Sequence, residues 1–464
     1  MITEEQLVAA GVKKLSKILL SLYTSSPNLQ KQLDIIFAGL EENPKKLISA
    51  IKHEISSLKR STGFVDYYGS DVLADRLDQL RLRIMEDLTE KSLEDALKLM
   101  RNFLNLHAKT IERCDDSNGT VAGVFTEACK DLGEIYAKAS KPVEEVAETV
   151  FDIFMKDDYS VCSDVIINFK EALGKEGLSL LHSKFKKLDT ANYNIIRGLK
   201  NIADCQKNIE AYIEACNLKH SRFPDHDYIE IAARLVDAWK ATEALEWLNK
   251  VDTSNSVLQT KVIPLKIKAL ELNGNYAEAE QERILWFDKT LSSEVYGQIL
   301  SNAKPQFKEE FKKSALEKAF NFFNPHAAVN FLIEAQEFEE CGRFVYLKAN
   351  QLSGDSYYTL RPAAKVLQQI DPLASTLLYR KMIQSVLDKA KSKYYSYAAQ
   401  DLALCTVLST KISDWREYEP HDNYFTQMNE LHKRKVSFWP QYRDALEKQN
   451  KKIIKAEEKS NLEL

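Results

Sequence analysis

Cys205, Cys216, His220 and His226 are the nearest approach to a metal-ligand set in this sequence. A structural zinc site wants two cysteines within roughly two to four residues, so that one turn presents both thiolates. Here the cysteines lie 11 residues apart, a spacing that suits a helix face better than a metal knuckle. His421-Asp422, with His326 upstream and Asp444 downstream, has the residue types of a metal-dependent HD-type hydrolase. The histidines are widely separated in sequence, and Pro420 sets the pair in a loop. Asp225-His226-Asp227 follows Pro224 and reads as the start of a helix. No glycine-rich phosphate loop, Gly-x-Ser-x-Gly elbow or His-Glu-x-x-His helix occurs. The sequence therefore predicts no catalytic residue, no cofactor and no metal.

Asp115-Asp116-Ser117-Asn118-Gly119 invites a calcium reading. A calcium loop needs regularly spaced oxygen ligands, an internal glycine and a closing glutamate. Starting at Asp116 puts Val121 where the glycine belongs. Starting at Cys114 loses the first carboxylate and ends on Phe125. The run instead predicts a helix-to-helix turn, with Asp116 or Ser117 capping the next helix and Asn118-Gly119 taking the unusual backbone angles. Lys433-Arg434-Lys435 precedes Phe438-Trp439, which brings charge close to a stacking surface. Tyr394, Tyr395 and Tyr397 cluster at a helix start. Six residues are thus candidates for contact with a partner: Asp115, Asp116, Tyr394, Tyr395, Arg434 and Lys435.

The elements that must position these residues are helices. The 464 residues include only 14 Gly and 11 Pro, well under the average usage of roughly 7% and 5%. That scarcity excludes turn-rich β architectures. A net charge of −4, from 64 basic and 68 acidic residues, is no general footprint for nucleic acid. Seven scattered cysteines do not form a disulfide framework and predict reduced thiols. The first residues lack a secretory pattern, and no apolar run approaches the roughly 18 residues that span a bilayer. A soluble cytoplasmic protein with no membrane role is expected.

Val8, Val12, Leu15, Leu19 and Leu22 recur at helical spacing after a capping-box pair, Thr3 and Gln6, and Ser25-Ser26-Pro27 ends that helix. A long helix over 92–113 carries Leu93, Leu97, Met100, Leu104 and Ile111 on one stripe, with His107 among them as a core histidine. The most telling run is Gly274-Asn275-Tyr276-Ala277-Glu278-Ala279, a tight turn opening the second helix of an antiparallel pair. Related runs start at Trp239 and Gln336, offset by 35 and then 62 residues. A tetratricopeptide unit has about 34. The second offset is not a multiple of that period, so the array is irregular or an extra helix pair intervenes over 292–323. The expected fold is all-α: helical hairpins stacked into an irregular tetratricopeptide-like solenoid. It divides into an N-terminal helical domain (1–175), a repeat domain (176–448) and a charged tail (449–464), the tail a frayed helix or disordered and similar in composition to an export signal.

Four strings carry a family resemblance: Gly63-Phe64-Val65-Asp66-Tyr67, Glu112 to Gly119, Glu243-Ala244-Leu245-Glu246-Trp247-Leu248, and His432 to Trp439. In this order they resemble a bacterial family of uncharacterised helical proteins, catalogued only as a domain of unknown function. Its C-terminal half is similar to the helical-repeat region of SWIM zinc-finger proteins. The resemblance implies a cytoplasmic helical-repeat protein without an assigned activity. No Cys-x-Cys pair followed by Cys-x-His occurs, so the zinc module is not implied. The expected function is that of a non-catalytic scaffold or adaptor for a protein or peptide. Nucleic-acid binding is the first alternative, and an HD-type hydrolase the second.

Overall fold

The computed structural model describes residues 3, 8–25, 27–189, 192–218 and 223–462, with side chains for all but 25, 27, 28, 31 and 452–462. Among the described residues every regular element is a helix, and the only β feature is an isolated parallel bridge between Val65 and Cys114. The chain forms two compact units, Met1–Asp252 and Thr253–Leu464.

The first unit opens with α1 (Val12–Ser25), α2 (Pro27–Leu40), α3 (Lys45–Arg60) and α4 (Tyr67–Leu82), which runs on into a π turn over Arg83–Leu88. Next come α5 (Leu93–Leu104), α6 (Thr120–Ala139), α7 (Val143–Met155) and α8 (Lys170–Phe185). It closes with α9 (Tyr193–Gln206), α10 (Ile209–Asn217), α11 (Asp225–Asp237) and α12 (Ala241–Leu248). Helix α6 is the centre of this unit, packed on α4, α5 and α8. Its Val121, Phe125, Ala128, Leu132 and Ile135 recur at helical spacing and are fully buried. Gly133 lets α6 approach the short helix Val165–Asn168, since a Cβ there would lie 2.3 Å from the Asn168 carbonyl oxygen.

The second unit holds α13 (Ser256–Leu272), α14 (Tyr276–Thr290), α15 (Ser293–Asn302) and α16 (Pro305–Phe320). Then follow α17 (Pro325–Glu334), α18 (Phe338–Lys348), α19 (Tyr357–Ile370), α20 (Pro372–Asp388), α21 (Tyr395–Ser409), α22 (His421–His432) and α23 (Phe438–Leu462). From α17 onward each helix packs on its successor and many also on the next but one: α17 on α19, α18 on α20, α21 on α23. That is the contact pattern of stacked hairpins. Helices α15 and α16 are an extra pair within the 62-residue offset, the second of the two readings that it allows.

The hairpin turns share one backbone device. Lys207, Trp239, Gly274, Gln336 and Ala390 each take a left-handed conformation, with φ of 54°, 62°, 79°, 61° and 50°. After each, the next N–H donates to a carbonyl five residues back. These bonds are Asn208 to Ala203 (2.9 Å), Lys240 to Leu235 (2.9 Å), Asn275 to Leu270 (2.8 Å), Glu337 to Leu332 (2.8 Å) and Lys391 to Val386 (3.0 Å). This is the Schellman arrangement, which satisfies carbonyls left over at a helix end. The fifth residue after each left-handed position is buried: Tyr212, Ala244, Ala279, Cys341 and Tyr395. Two of the five turns, at Lys207 and Ala390, escape a sequence reading because each has a tyrosine at the fifth position, where the runs at Trp239, Gly274 and Gln336 have a small residue.

Other expectations change. The helix predicted over 92–113 breaks after Leu104 and resumes as His107–Glu112, because Leu106 turns into the core. His107 is half-buried, with Nδ1 2.9 Å from the Leu104 carbonyl oxygen. At 175 the core continues without interruption through Leu173, Leu178, Leu181 and Phe185. What marks that place is a kink at Gly174 (φ 55°) inside α8. The change of sequence pattern at 175 and the division of contacts at Asp252 are therefore different boundaries. The tail backbone stays helical to Leu462 as part of α23. The capping partner Gln6 lies outside the described residues, and Gly11 (φ 77°) precedes α1.

The turn geometry sets stability directly. No atom lies within 4 Å of a Cβ built on Gly274, so Gly274→Ala meets only backbone strain. It should cost about 1 kcal/mol, whereas Gln336→Gly should gain up to about 1 kcal/mol. Urea unfolding of the two variants measures both signs.

Candidate partner-binding groove

The acidic run is a structural staple. Asp116 accepts from the backbone N–H of Val121 (2.9 Å) and Ala122 (2.8 Å), which caps α6. Gly119 takes φ 74° just before it. Asp115 turns its carboxylate to the N–H of Ser117 at 3.3 Å and to that residue's hydroxyl. The backbone pairs this run with the string at Gly63–Tyr67: Val65 N–H donates to Arg113 (2.9 Å) and Asp115 N–H to Val65 (2.9 Å). Asn118 adds a bond to Asp71 at 2.8 Å, and Asp66 caps α4 through Gly69 N–H at 2.9 Å. Two of the four strings behind the resemblance thus meet in space. Both acidic candidates spend their carboxylates on local backbone and side chains.

The C-terminal candidates separate. Tyr394 is 47% exposed, but Tyr395 is only 5% exposed and packs edge-on against Phe438, ring centroids 5.7 Å apart. Tyr395 is corrected from a groove residue to a core residue, because it occupies the buried fifth position after the Ala390 turn. Lys435 is half-buried with its Nζ 5.9 Å over the Tyr395 ring, while Arg434 is exposed. Phe438 is fully buried and Trp439 donates its indole N–H to the His432 carbonyl at 3.1 Å. The basic run therefore has a packed aromatic pair beside it and not a free stacking surface.

The metal candidates do not gather. Among the described residues no three His, Cys, Asp or Glu side chains converge as ligands. Cys205 and Cys216 are buried, His226 meets Asp227 at 3.2 Å, and His220 lies outside the described residues. His326 Nε2 accepts from Ser353 N–H at 3.0 Å. His421 is buried at the start of α22, with Nε2 3.0 Å from the Thr406 hydroxyl. Beside it Arg380 donates to the Glu419 carbonyl at 2.7 Å, its guanidinium 4.2 Å from the Tyr424 ring and 4.9 Å from that of Trp415. Burial, and then the Arg380 charge, push the His421 pKa down to about 4.

A groove that the sequence did not announce lies between α13, α14 and α15, with a volume of about 550 Å³. The Gly274 turn sets α13 against α14, and Leu291 (φ 51°) turns the chain into α15. Thr260 and Pro264 line it from α13, Arg283 and Trp286 from α14, Gln298 and Asn302 from α15. Pro264 sits inside the helix and has no N–H to give, so the Thr260 carbonyl loses its intrahelical donor. Arg283 is only 4% exposed and is paired with both Glu271 and Glu280, yet its Nε has no hydrogen-bond partner. Gln298 and Asn302 are exposed amides, each able to donate and accept. The charged lining residues balance: Lys268 and Arg283 against Glu271 and Glu294. The one sequence signal for this groove is Pro264 within an apolar helical stretch.

Such a fold and groove define an all-α protein of stacked helical hairpins. The chain belongs to the family of unknown function DUF6880, whose profile matches residues 2–194 and 186–441. No curated protein matches the sequence. No helix among the described residues is long and apolar enough to cross a membrane.

The buried imidazole fixes a pH response. His421 is depressed in the folded protein relative to the unfolded chain, so the unfolded chain takes up the extra proton. Its stabilising share is complete above about 6.5 and is lost as pH falls toward 4. His421→Gln should flatten the stability profile across that window by up to about 2 kcal/mol, measured as unfolding free energy against pH.

Proposed function

We propose that the protein is a non-catalytic scaffold or adaptor that holds a protein or peptide in the groove between α13, α14 and α15. The observation that carries this reading is Arg283, a nearly buried donor whose Nε has no partner, in the wall of a peptide-sized groove. An unpaired buried donor is costly, and a carbonyl of a bound chain would relieve it. The Thr260 carbonyl and the amides of Gln298 and Asn302 supply the complementary acceptors and donors that an extended backbone needs. The turn period of 35 residues between Trp239 and Gly274, and the small buried Ala244 and Ala279, support a tetratricopeptide-like repeat. A cytoplasmic setting fits the seven free cysteines.

Nucleic acid is the less favoured partner. A groove with balanced charge offers phosphate little attraction, and Phe438 is buried away from any base. The HD-type hydrolase has no support from His421 or His326, each engaged with its own neighbours.

The test places a photo-crosslinking phenylalanine analogue at Gln298 in the full chain expressed in its native cells. A discrete polypeptide adduct is expected, and Asn302→Arg should reduce its yield about tenfold. Adducts that vanish with nuclease treatment, or a yield indifferent to Asn302→Arg, would sink the reading.

A further inference from the structure

Apolar side chains meet solvent at many positions between Val12 and Leu40. Val12 is 81% exposed, Leu20 66%, Phe37 54% and Leu40 76%. Helix α1 bears the expected apolar face with Lys13, Lys14 and Lys17 on the opposite side, yet that face is not fully covered. A groove of about 310 Å³ lies between α1, α2 and α4, walled by Leu19, Leu33, Ile36 and Leu80. A second groove passes along α2 beside Asp34 and Phe37. Both are bordered by Ile35 of α2 and by Glu54 of α3.

Glu54 is 5% exposed. Its Oε1 accepts from Arg76 Nε at 2.6 Å, while its Oε2 is buried and takes no hydrogen bond. An acceptor in that state calls for a donor. The charges around it already cancel: Glu54 is matched by Arg76, and Arg83 at the rim by Asp87 at 3.1 Å. A cationic ligand would add an unmatched positive charge to an apolar site, and an anionic one would face Glu54. A neutral group with an apolar body and a single N–H or O–H donor fits both constraints. Indole and phenol are that class. They are also the side chains that most often anchor protein interfaces, where one end is apolar and the other must be paired.

We infer that the groove between α1, α2 and α4 accepts a tryptophan or tyrosine side chain of a partner polypeptide, its donor directed to Glu54. The site shares no residue with the groove of the proposed function and stands independently of it.

The test titrates the full chain with N-acetyl-tryptophanamide, followed by calorimetry and by ligand-observed NMR. Binding with a Kd on the order of 1 mM or tighter is expected. The analogue methylated at the indole nitrogen keeps the apolar body and loses the donor, and it should bind about tenfold more weakly. Leu19→Glu lies at a 41% exposed position, so it should leave the melting temperature unchanged and weaken binding about tenfold. Three results would overturn the inference: no binding, equal affinity for the methylated analogue, or binding indifferent to Leu19→Glu. Free indole binding while N-acetyl-tryptophanamide does not would overturn a polypeptide source.

Discussion

The hydrogen bond from the residue after each left-handed turn to a carbonyl five residues back is the constraint on which the hairpins depend. It ends one helix, reverses the chain and sets the next helix at a fixed phase. Because the phase is fixed, the fifth residue after the left-handed position always arrives in the core. Three of those residues, Ala244, Ala279 and Cys341, are small enough for helices to close on one another. The other two are tyrosines, and each ring is covered by a cation. Arg234 lies 3.7 Å from the Tyr212 centroid, and the Lys435 Nζ lies 5.9 Å from that of Tyr395. The same turn thus supports either a close helix pair or a wider one filled by an aromatic ring.

That equivalence explains which parts of the fold were legible in the sequence. The Gly274 turn could be read because glycine takes positive φ at no steric cost. Trp239 and Gln336 were found by likeness to it. Lys207 and Ala390 lack that likeness, since Tyr212 and Tyr395 stand where the other runs have Ala244, Ala279 and Cys341. The Asp116 cap and the Gly119 conformation were legible too, because both are local effects of a few adjacent residues. The extra pair α15 and α16 is one of the two readings that arithmetic on the offsets allows.

Longer-range relations were not legible. Tyr394, Tyr395 and Tyr397 look alike in sequence, yet the turn at Ala390 buries only the middle one. Lys435 is one member of a basic run, but the fold carries it to the ring of Tyr395 and leaves Arg434 outside. The groove between α13, α14 and α15 depends on residues spread from Thr260 to Asn302, on three helices. Composition is silent about such a site because its charges cancel. Pro264 alone marks it, and a proline within a helix has several structural explanations.

Cancelled charge is also what gives the groove its character. Arg283 is tied at both Nη atoms to Glu271 and Glu280, so its charge is spent within the protein. What remains unpaired is one directional donor, its buried Nε. A phosphate backbone is drawn by field, whereas a peptide backbone is recognised by direction, one donor or acceptor at a time. The Thr260 carbonyl released by Pro264 has the same property, a fixed dipole with no charge. One donor whose charge is matched within the protein and one freed acceptor, on neighbouring helices, are poor steering devices and good positioning devices. The turn at Gly274 joins the two helices that carry those groups.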